Sequence, residues 1–244
     1  MREILVVREF DDFSWILSRS GLKIINCPTI AVAPLEDLSE FEAKLDALEN
    51  YDGVFLTSAN ATEIFRTKLR ARNTNFHGKI YVLGKRSFDF LENENLNLVF
   101  DKTTNTAQEM LENITLNELK NKRFLFVRGE KSLRVVPEFL EKIASVDEAI
   151  VYSSSSVAIA DDKIKEIKAK SANGEIACAC FFSPSAAENF LQQFGAEVSH
   201  QIKITVIGKT TADFFERRNL KVDFVARRAT AEDFAIELIE HLKI

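Results

Sequence analysis

The chain lacks any apolar stretch close to the roughly 20 residues that a membrane-spanning helix needs. Its first residues, MREILVVREFDDF, lack the basic start and apolar core of a signal peptide. The chain also has no excess of basic residues. It contains 32 lysines and arginines and 37 aspartates and glutamates, so its formal net charge is −5, which disfavours general nucleic-acid binding. We therefore expect a cytoplasmic protein with no membrane and no nucleic-acid partner. A local basic cleft for a small anion remains compatible with this charge.

Signatures of metal and cofactor chemistry are also missing. Of three cysteines, Cys178 and Cys180 alternate in IACACFF, as thiols of a buried strand do. Metal sites have wider spacings and further Cys or His ligands, so we favour core thiols over a metal site. There is no HExxH, GxGxxG, Walker A or GxSxG motif. The sequence predicts no metal and no cofactor, and a reaction that relies on positioning the substrate.

Short apolar runs alternate with amphipathic segments along the whole chain. The runs lack strict alternation, which is typical of parallel strands covered on both faces. Capping boxes at Thr106–Glu109 and Ser185–Glu188 predict helix starts, and Gly21 and Gly195 predict helix ends. This pattern predicts an α/β fold with parallel sheets flanked by helices. The predicted strands lie at 3–7, 53–57, 79–83, 123–127, 178–182 and 203–207.

An internal repeat divides the chain into halves of about 1–120 and 121–244. Residues 79–110 align without a gap over 203–234, at a constant offset of 124, with 13 of 32 positions identical. The first strands correspond as well, because ILVVR ends at Arg8 and FLFVR ends at Arg128. We therefore expect two similar domains, each with a parallel sheet.

Two extended stretches occupy similar places in the two halves, TIAVAPLED at 29–37 and IVYSSSSVA at 150–158. If both are linkers, 36–152 forms an inserted domain, and 1–33 with 158–244 forms a discontinuous one. The domains would then be joined by two crossing strands, with a ligand cleft between them. The serine run could instead be a surface loop.

Ligands of open α/β sheets bind at the carboxyl ends of the strands. Four predicted strand-to-helix turns carry polar side chains there, and backbone N–H groups at helix N-termini suit carboxylate or phosphate. Any one of these turns, taken alone, is more typical of an ordinary helix cap. Arg8 and Arg128 could each instead pair with a neighbouring acid. The internal repeat, however, favours a binding site shared by all four turns. The candidate binding residues are Arg8, Thr57, Ser58, Asn60, Lys85, Ser87, Arg128, Ser183, Ser185, Lys209 and Thr210.

Five motifs, in their order and spacing, resemble the uroporphyrinogen-III synthase family. They are TSANATEIF at 57–65, FVRGEKSLRVVPEFL at 126–140 followed by Tyr152, FFSPSAAENF at 181–190, IGKTTADFF at 207–215 and RRATAEDF at 227–234. The resemblance runs essentially end to end. It implies two α/β domains joined by two extended strands, and neither metal nor organic cofactor.

The resemblance also implies an activity. A hydro-lyase of haem biosynthesis would cyclise hydroxymethylbilane, a linear tetrapyrrole with many carboxylates, to uroporphyrinogen III, losing water and inverting ring D through a spiro intermediate. Tyr152 matches the family tyrosine that is proposed to help the hydroxyl leave, although it could instead be a partly buried interdomain tyrosine. Thr211 matches a family threonine, so both are candidate catalytic residues. The first-half counterpart is Ser87, preceded by Arg86 where the family often has a smaller residue.

Two other functions remain open. One is a non-catalytic, two-lobed protein that binds a tetrapyrrole or another anion, since a fold alone does not fix function. The other is a transferase that holds a sugar nucleotide at its helix N-termini. For the enzyme we expect a monomer that makes transient contact with the bilane-forming deaminase. We also expect Ser58 and Ser183 to face each other across a gap, in different domains.

Overall fold

Strands rich in Val, Ile and Phe alternate with helices along the part of the chain that this computed structural model describes, residues 2–72 and 76–242. The strands are β1 (Glu3–Val6), β2 (Lys23–Asn26), β3 (Ile30–Pro34), β4 (Gly53–Leu56), β5 (Lys79–Val82), β6 (Asn97–Val99), β7 (Arg123–Gly129), β8 (Ser145–Ser156), β9 (Ile176–Phe181), β10 (Lys203–Val206) and β11 (Phe224–Val225). The helices are α1 (Asp12–Arg19), α2 (Ser39–Asp46), α3 (Ala59–Arg72), α4 (Lys85–Leu91), α5 (Ala107–Glu112), α6 (Leu116–Leu119), α7 (Val135–Leu140), α8 (Asp161–Ala172), α9 (Pro184–Phe194), α10 (Lys209–Glu216) and α11 (Ala231–Leu242). Each of the six apolar runs forms a strand.

The chain divides into two compact units, and each has its own sheet. The first unit comprises Met1–Ala31 and Ser155–Ile244. Its five strands are ordered β11-β10-β9-β1-β2, and all four neighbouring pairs are parallel. One face of this sheet packs on α8, α9 and α10 through residues such as Phe181 and Phe190, while Phe13 of α1 and Phe234 of α11 cover the other. Both faces are therefore buried, as the unbroken apolar runs predict.

The second unit comprises Val32–Ser154. Its strands belong to a six-stranded sheet of order β3-β8-β7-β4-β5-β6, in which the pairs from β8 to β6 are parallel. Phe41, Phe65 and Leu91 of α2, α3 and α4 pack on one face. The opposite face packs on α5, α6 and α7, where Phe55 and Phe124 are buried. The predicted α/β class with parallel sheets and flanking helices is confirmed.

The two sheets repeat one strand order. The series β2-β1-β9-β10-β11 corresponds to β8-β7-β4-β5-β6, so β1 takes the place of β7 and β10 that of β5. The repeat extends to the backbone of single residues. Asn95 and Asn219, which align in the sequence, both follow a helix and both have positive φ, 52° and 57°. Asparagine tolerates this left-handed conformation better than most residues, which explains its presence at both positions.

The predicted helix caps are partly right. The Thr106–Glu109 capping box is present at the start of α5, and Gly195 ends α9 with a φ of 82°. The Ser185–Glu188 box is wrong. Ser183 is the N-cap of α9, its Oγ accepting a hydrogen bond from the Ala186 backbone N–H at 3.2 Å, and Ser185 lies one residue inside the helix. Pro184 at the first helical position explains the difference, because proline favours that position.

Candidate functional site

All four predicted turns join the carboxyl end of a strand to a helix. The turn at 57–58 links β4 to α3, and the turn at 83–84 links β5 to α4 in the second unit. In the first unit, 182–183 links β9 to α9 and 207–208 links β10 to α10. Within each unit the two strands are neighbours in a parallel sheet, so each unit brings its own pair of turns to one edge.

Tyr152 and Ser58 lie in direct contact in the second unit. The Tyr152 Oη and the Ser58 Oγ are 3.0 Å apart, and either hydroxyl can be the donor. Tyr152 comes from β8, whereas Ser58 lies just before α3, where its carbonyl accepts hydrogen bonds from the backbone N–H and the hydroxyl of Thr62. The phenol of Tyr152 therefore lies at the N-terminus of a 14-residue helix, where backbone N–H groups favour negative charge.

A groove of about 350 Å³ lies beside this pair. Its volume is within the range of small-molecule sites, about 300–1,000 Å³. Tyr152 and Asn60, both singled out from the sequence, contribute to its walls. The other lining residues carry no local sequence signal, since they come from β3, the residue before α2 and α3, and meet only in the folded unit. They are Val32, Pro34, Leu38, Glu63, Ile64, Thr67 and Lys68.

Arg128 binds groups of its own unit. Its Nε lies 2.6 Å from Glu148, and one terminal nitrogen donates to the carbonyls of Gly129 and Glu130. Glu148 also pairs with Arg134 at 2.6 Å. Burial disfavours the charged carboxyl of Glu148, but hydrogen bonds from Arg134 and Arg128 outweigh it and hold its pKa below the usual value. Arg128 thus pairs with a neighbouring acid, and its role in binding a ligand stays a prediction.

The remaining candidates of the second unit have unequal exposure. Thr57 is half-buried at the start of its turn. Lys85 is exposed and pairs with Asp89 at 2.7 Å, one turn further along α4. Ser87 is buried within the first turn of α4. Exposure alone therefore makes Ser58, Asn60 and Thr57 more accessible to a ligand than Ser87.

Arg8 of the first unit also pairs with an acid. Its guanidinium lies 2.8 Å from Asp11 and 4.3 Å from the centre of the Phe182 ring. The aromatic face and the carboxylate fix the orientation of a side chain that is still about 30% exposed. Arg8 lies two residues beyond the end of β1.

The helix α10 begins without a side-chain cap. Its N-cap is Gly208, which has no side chain that could accept from the first backbone N–H groups. Lys209 and Thr210 are exposed there, and among the residues that the structure describes Lys209 forms no ion pair. Thr211 is buried, with 3% of its surface exposed. An uncapped N-terminus beside a lysine can accept an anion.

The three cysteines are buried free thiols. Burial raises the pKa of Cys27 to about 11, so this thiol stays protonated and unreactive at neutral pH. Within 2–72 and 76–242, no three His, Cys, Asp or Glu side chains cluster closely enough to hold a metal ion. No helix in the same ranges has the length and apolar character needed to cross a bilayer.

Comparison with known proteins identifies the family. The family model described as uroporphyrinogen-III synthase HemD matches residues 11–235. The chain belongs to the uroporphyrinogen-III synthase family. A relative from Chlorobaculum parvum, named uroporphyrinogen-III synthase, is 28% identical in an alignment of 254 positions that covers 100% of both chains.

Two solved structures have the same fold as this family member. The uroporphyrinogen-III synthetase of Helicobacter pylori has a TM-score of 0.64 at 20% identity, covering 99% of this chain and 100% of that one. A mutant uroporphyrinogen III synthase of Thermus thermophilus has a TM-score of 0.65 at 14% identity, covering 100% and 99%. At such identities the likeness concerns the fold alone.

In this uroporphyrinogen-III synthase family member, Tyr152 and Ser58 both match family motifs, and their hydroxyls are hydrogen-bonded. Ser183 and Thr211 lie in the first unit, Ser183 as the N-cap of α9 and Thr211 in the first turn of α10, after neighbouring strands. Their roles as catalytic or binding residues remain predictions.

Proposed function

We propose that this chain is a uroporphyrinogen-III synthase, which cyclises hydroxymethylbilane to uroporphyrinogen III. In this reaction the terminal hydroxymethyl group loses its hydroxyl, which leaves as water with an added proton. The resulting electrophilic carbon is attacked by ring D, and rearrangement through a spiro intermediate inverts that ring before the macrocycle closes. Membership of the family supports the proposal.

The Tyr152–Ser58 hydrogen bond is the observation that carries the chemistry. When Ser58 donates to the phenol oxygen, Tyr152 keeps its own proton for the departing hydroxyl. The N–H groups at the start of α3 then favour the negative charge that develops on the phenol oxygen. Proton transfer by a positioned side chain typically contributes a rate factor of about 10²–10⁴. The pair therefore supports Tyr152 as the general acid.

Backbone groups would bind the substrate carboxylates. The N-termini of α3 and α10 offer N–H donors, and the N-cap of α10, Gly208, has no side chain that competes for them. Lys209 adds an exposed positive charge. A single exposed ion pair contributes only about 0–1 kcal/mol, but a substrate with many carboxylates can gain from several charge-assisted bonds.

An isomer assay tests the proposal. Porphobilinogen and a bilane-forming deaminase are incubated with and without this protein, the products are oxidised, and the porphyrin isomers are separated. Without the protein, hydroxymethylbilane closes unaided to isomer I, so we expect isomer III to dominate only in its presence. Dominance of isomer I at every protein concentration would overturn the assignment and favour a non-catalytic binding protein.

A further inference from the structure

We propose that Gly129 is a positioning residue for Tyr152. In this proposal, which rests on the proposed function, the absence of a side chain at Gly129 lets the Tyr152 ring lie against β7. In this position the phenol hydroxyl lies 3.0 Å from the Ser58 hydroxyl. Gly129 would act through Tyr152 and would touch no substrate itself.

The packing of Gly129 against Tyr152 leaves no room for a side chain. A Cβ atom added at Gly129 would lie 2.5 Å from Cε2 and 2.7 Å from Oη of Tyr152, closer than the 3.0 Å below which something must shift. The atoms that it meets are the ring edge and the hydroxyl itself. An alanine at this position must therefore displace the group that carries the proposed proton.

The backbone around Gly129 explains this close approach. The register of β7 and β8 shifts between Arg128 and Gly129, so that Gly129 lies opposite Tyr152. The Glu130 N–H donates to the Tyr152 carbonyl at 2.9 Å. Glycine within a strand often marks such a bulge or a close approach. Arg128 supports the same segment, because it donates to the carbonyls of Gly129 and Glu130 at 2.9 and 3.1 Å.

The backbone of Gly129 does not itself require glycine. The glycines with positive φ are Gly21, Gly84, Gly174 and Gly195 among the residues described, and Gly129 is not one of them. Alanine can therefore adopt its backbone conformation. Since the clash is with the far end of a movable side chain, we expect Gly129→Ala to fold and to move the ring.

Gly53 provides a matched control in the same sheet. A Cβ atom there would lie 2.8 Å from the Lys79 carbonyl oxygen and 3.2 Å from the Phe124 ring. Gly53→Ala therefore also introduces a methyl group into a filled space, but away from Tyr152. The Gly53→Ala substitution should lower the free energy of unfolding but leave the position of the Tyr152 phenol unchanged.

Two measurements on the full chain test the proposal. The first uses ring-labelled tyrosine, since the chain has only three tyrosines, Tyr51, Tyr81 and Tyr152. The Tyr152 resonance is assigned by its loss in Tyr152→Phe. We expect Gly129→Ala to shift this resonance alone and Gly53→Ala to leave it in place. An unmoved Tyr152 resonance in folded Gly129→Ala would overturn the positioning role, whatever reaction the protein catalyses.

The second measurement is a double-mutant cycle on turnover. A displacement of about 1 Å can cost up to about a hundredfold, so we expect Gly129→Ala to lower kcat by roughly tenfold to a hundredfold. In the Tyr152→Phe background the same change should have almost no effect, because the hydroxyl is already absent. An equal loss in both backgrounds would overturn the proposal. Failure of the wild type to form isomer III would instead overturn the proposed function.

Discussion

Tyr152 and Ser58, 94 positions apart in the sequence, share a hydrogen bond of 3.0 Å between their hydroxyl oxygens. The bond joins β8 to the residue that precedes α3, and it lies beside the groove that Tyr152 and Asn60 help to line. Each hydroxyl therefore has a hydrogen-bond partner. The bond keeps the Tyr152 hydroxyl of β8 and the Ser58 hydroxyl before α3 together at the carboxyl edge of the sheet.

Replacing Tyr152 by phenylalanine should separate catalysis from stability. The ring keeps its packing while the hydroxyl is lost, so we expect kcat to fall by about 10²–10⁴. The free energy of unfolding should fall by only about 0.5–1.5 kcal/mol, the net value of one hydrogen bond. Stopped assays of isomer III and urea unfolding measure the two quantities. A rate within twofold of the wild type would make Tyr152 a structural residue.

Thr211 should contribute through its hydroxyl. Valine has the same shape without the hydroxyl, and serine keeps the hydroxyl without the methyl group. If the hydroxyl of Thr211, in the first turn of α10, takes part in the proposed reaction, Thr211→Val should lower kcat/KM by roughly tenfold. That loss corresponds to about one hydrogen bond to a charged group. Thr211→Ser should retain most activity. The reverse order of the two variants would indicate packing of the methyl group.

Ser183 and Ser185 should differ in their effect on stability. Ser183 caps α9 and accepts from the Ala186 N–H, so Ser183→Ala should cost about 0.5–2 kcal/mol. Ser185 is exposed inside the helix, where alanine has the higher propensity, so Ser185→Ala should be neutral or slightly stabilising. Urea denaturation of both variants measures this difference. Equal losses would contradict the cap assignment.

Stability should fall at alkaline pH. Burial, the hydrogen bond to Asp147 and the charge of Asp147 raise the pKa of Tyr51 from 10.0 to about 12. Burial, with Glu118 and Asp52, raises that of Tyr81 to about 12 as well. The unfolded chain then loses these protons first, so the stabilisation is complete below pH 10 and is lost as pH rises towards 12.

Unfolding free energies at pH 8, 10 and 11 check this dependence. Tyr51→Phe removes one titrating group, so its stability should fall less steeply above pH 10 than that of the wild type. Parallel curves for the two proteins would show that Tyr51 contributes nothing to the slope.

The fold class could be predicted because local patterns specify it. Unbroken apolar runs marked the strands, and the offset of 124 matched β5 with β10 and Asn95 with Asn219. These features depend on residue type and spacing, both of which are visible in the sequence. The predicted cap of α9 is wrong because Ser183 and Ser185 both suit a helix start, and only Pro184 distinguishes them.

The site could be predicted only in part, since contacts between distant residues have no local signal. Arg128, for example, is a predicted binding residue, but the sequence does not reveal that it pairs with Glu148 on the neighbouring strand. The glycine in FVRGEK was a usable signal, because glycine inside a strand indicates a close approach. Its partner, Tyr152, became apparent only from the register of β7 and β8.

The discontinuity of the first unit also affects how the chain is made. During synthesis β1 is made before the second unit, whereas one of its two neighbours, β9, is made only after the whole second unit. At about 5–20 residues per second, this delay lasts on the order of ten to thirty seconds. The second unit is contiguous and can complete its contacts during that time. The backbone N–H and C=O groups on one edge of the nascent β1 therefore stay without their native partners until residues 176–181 are made.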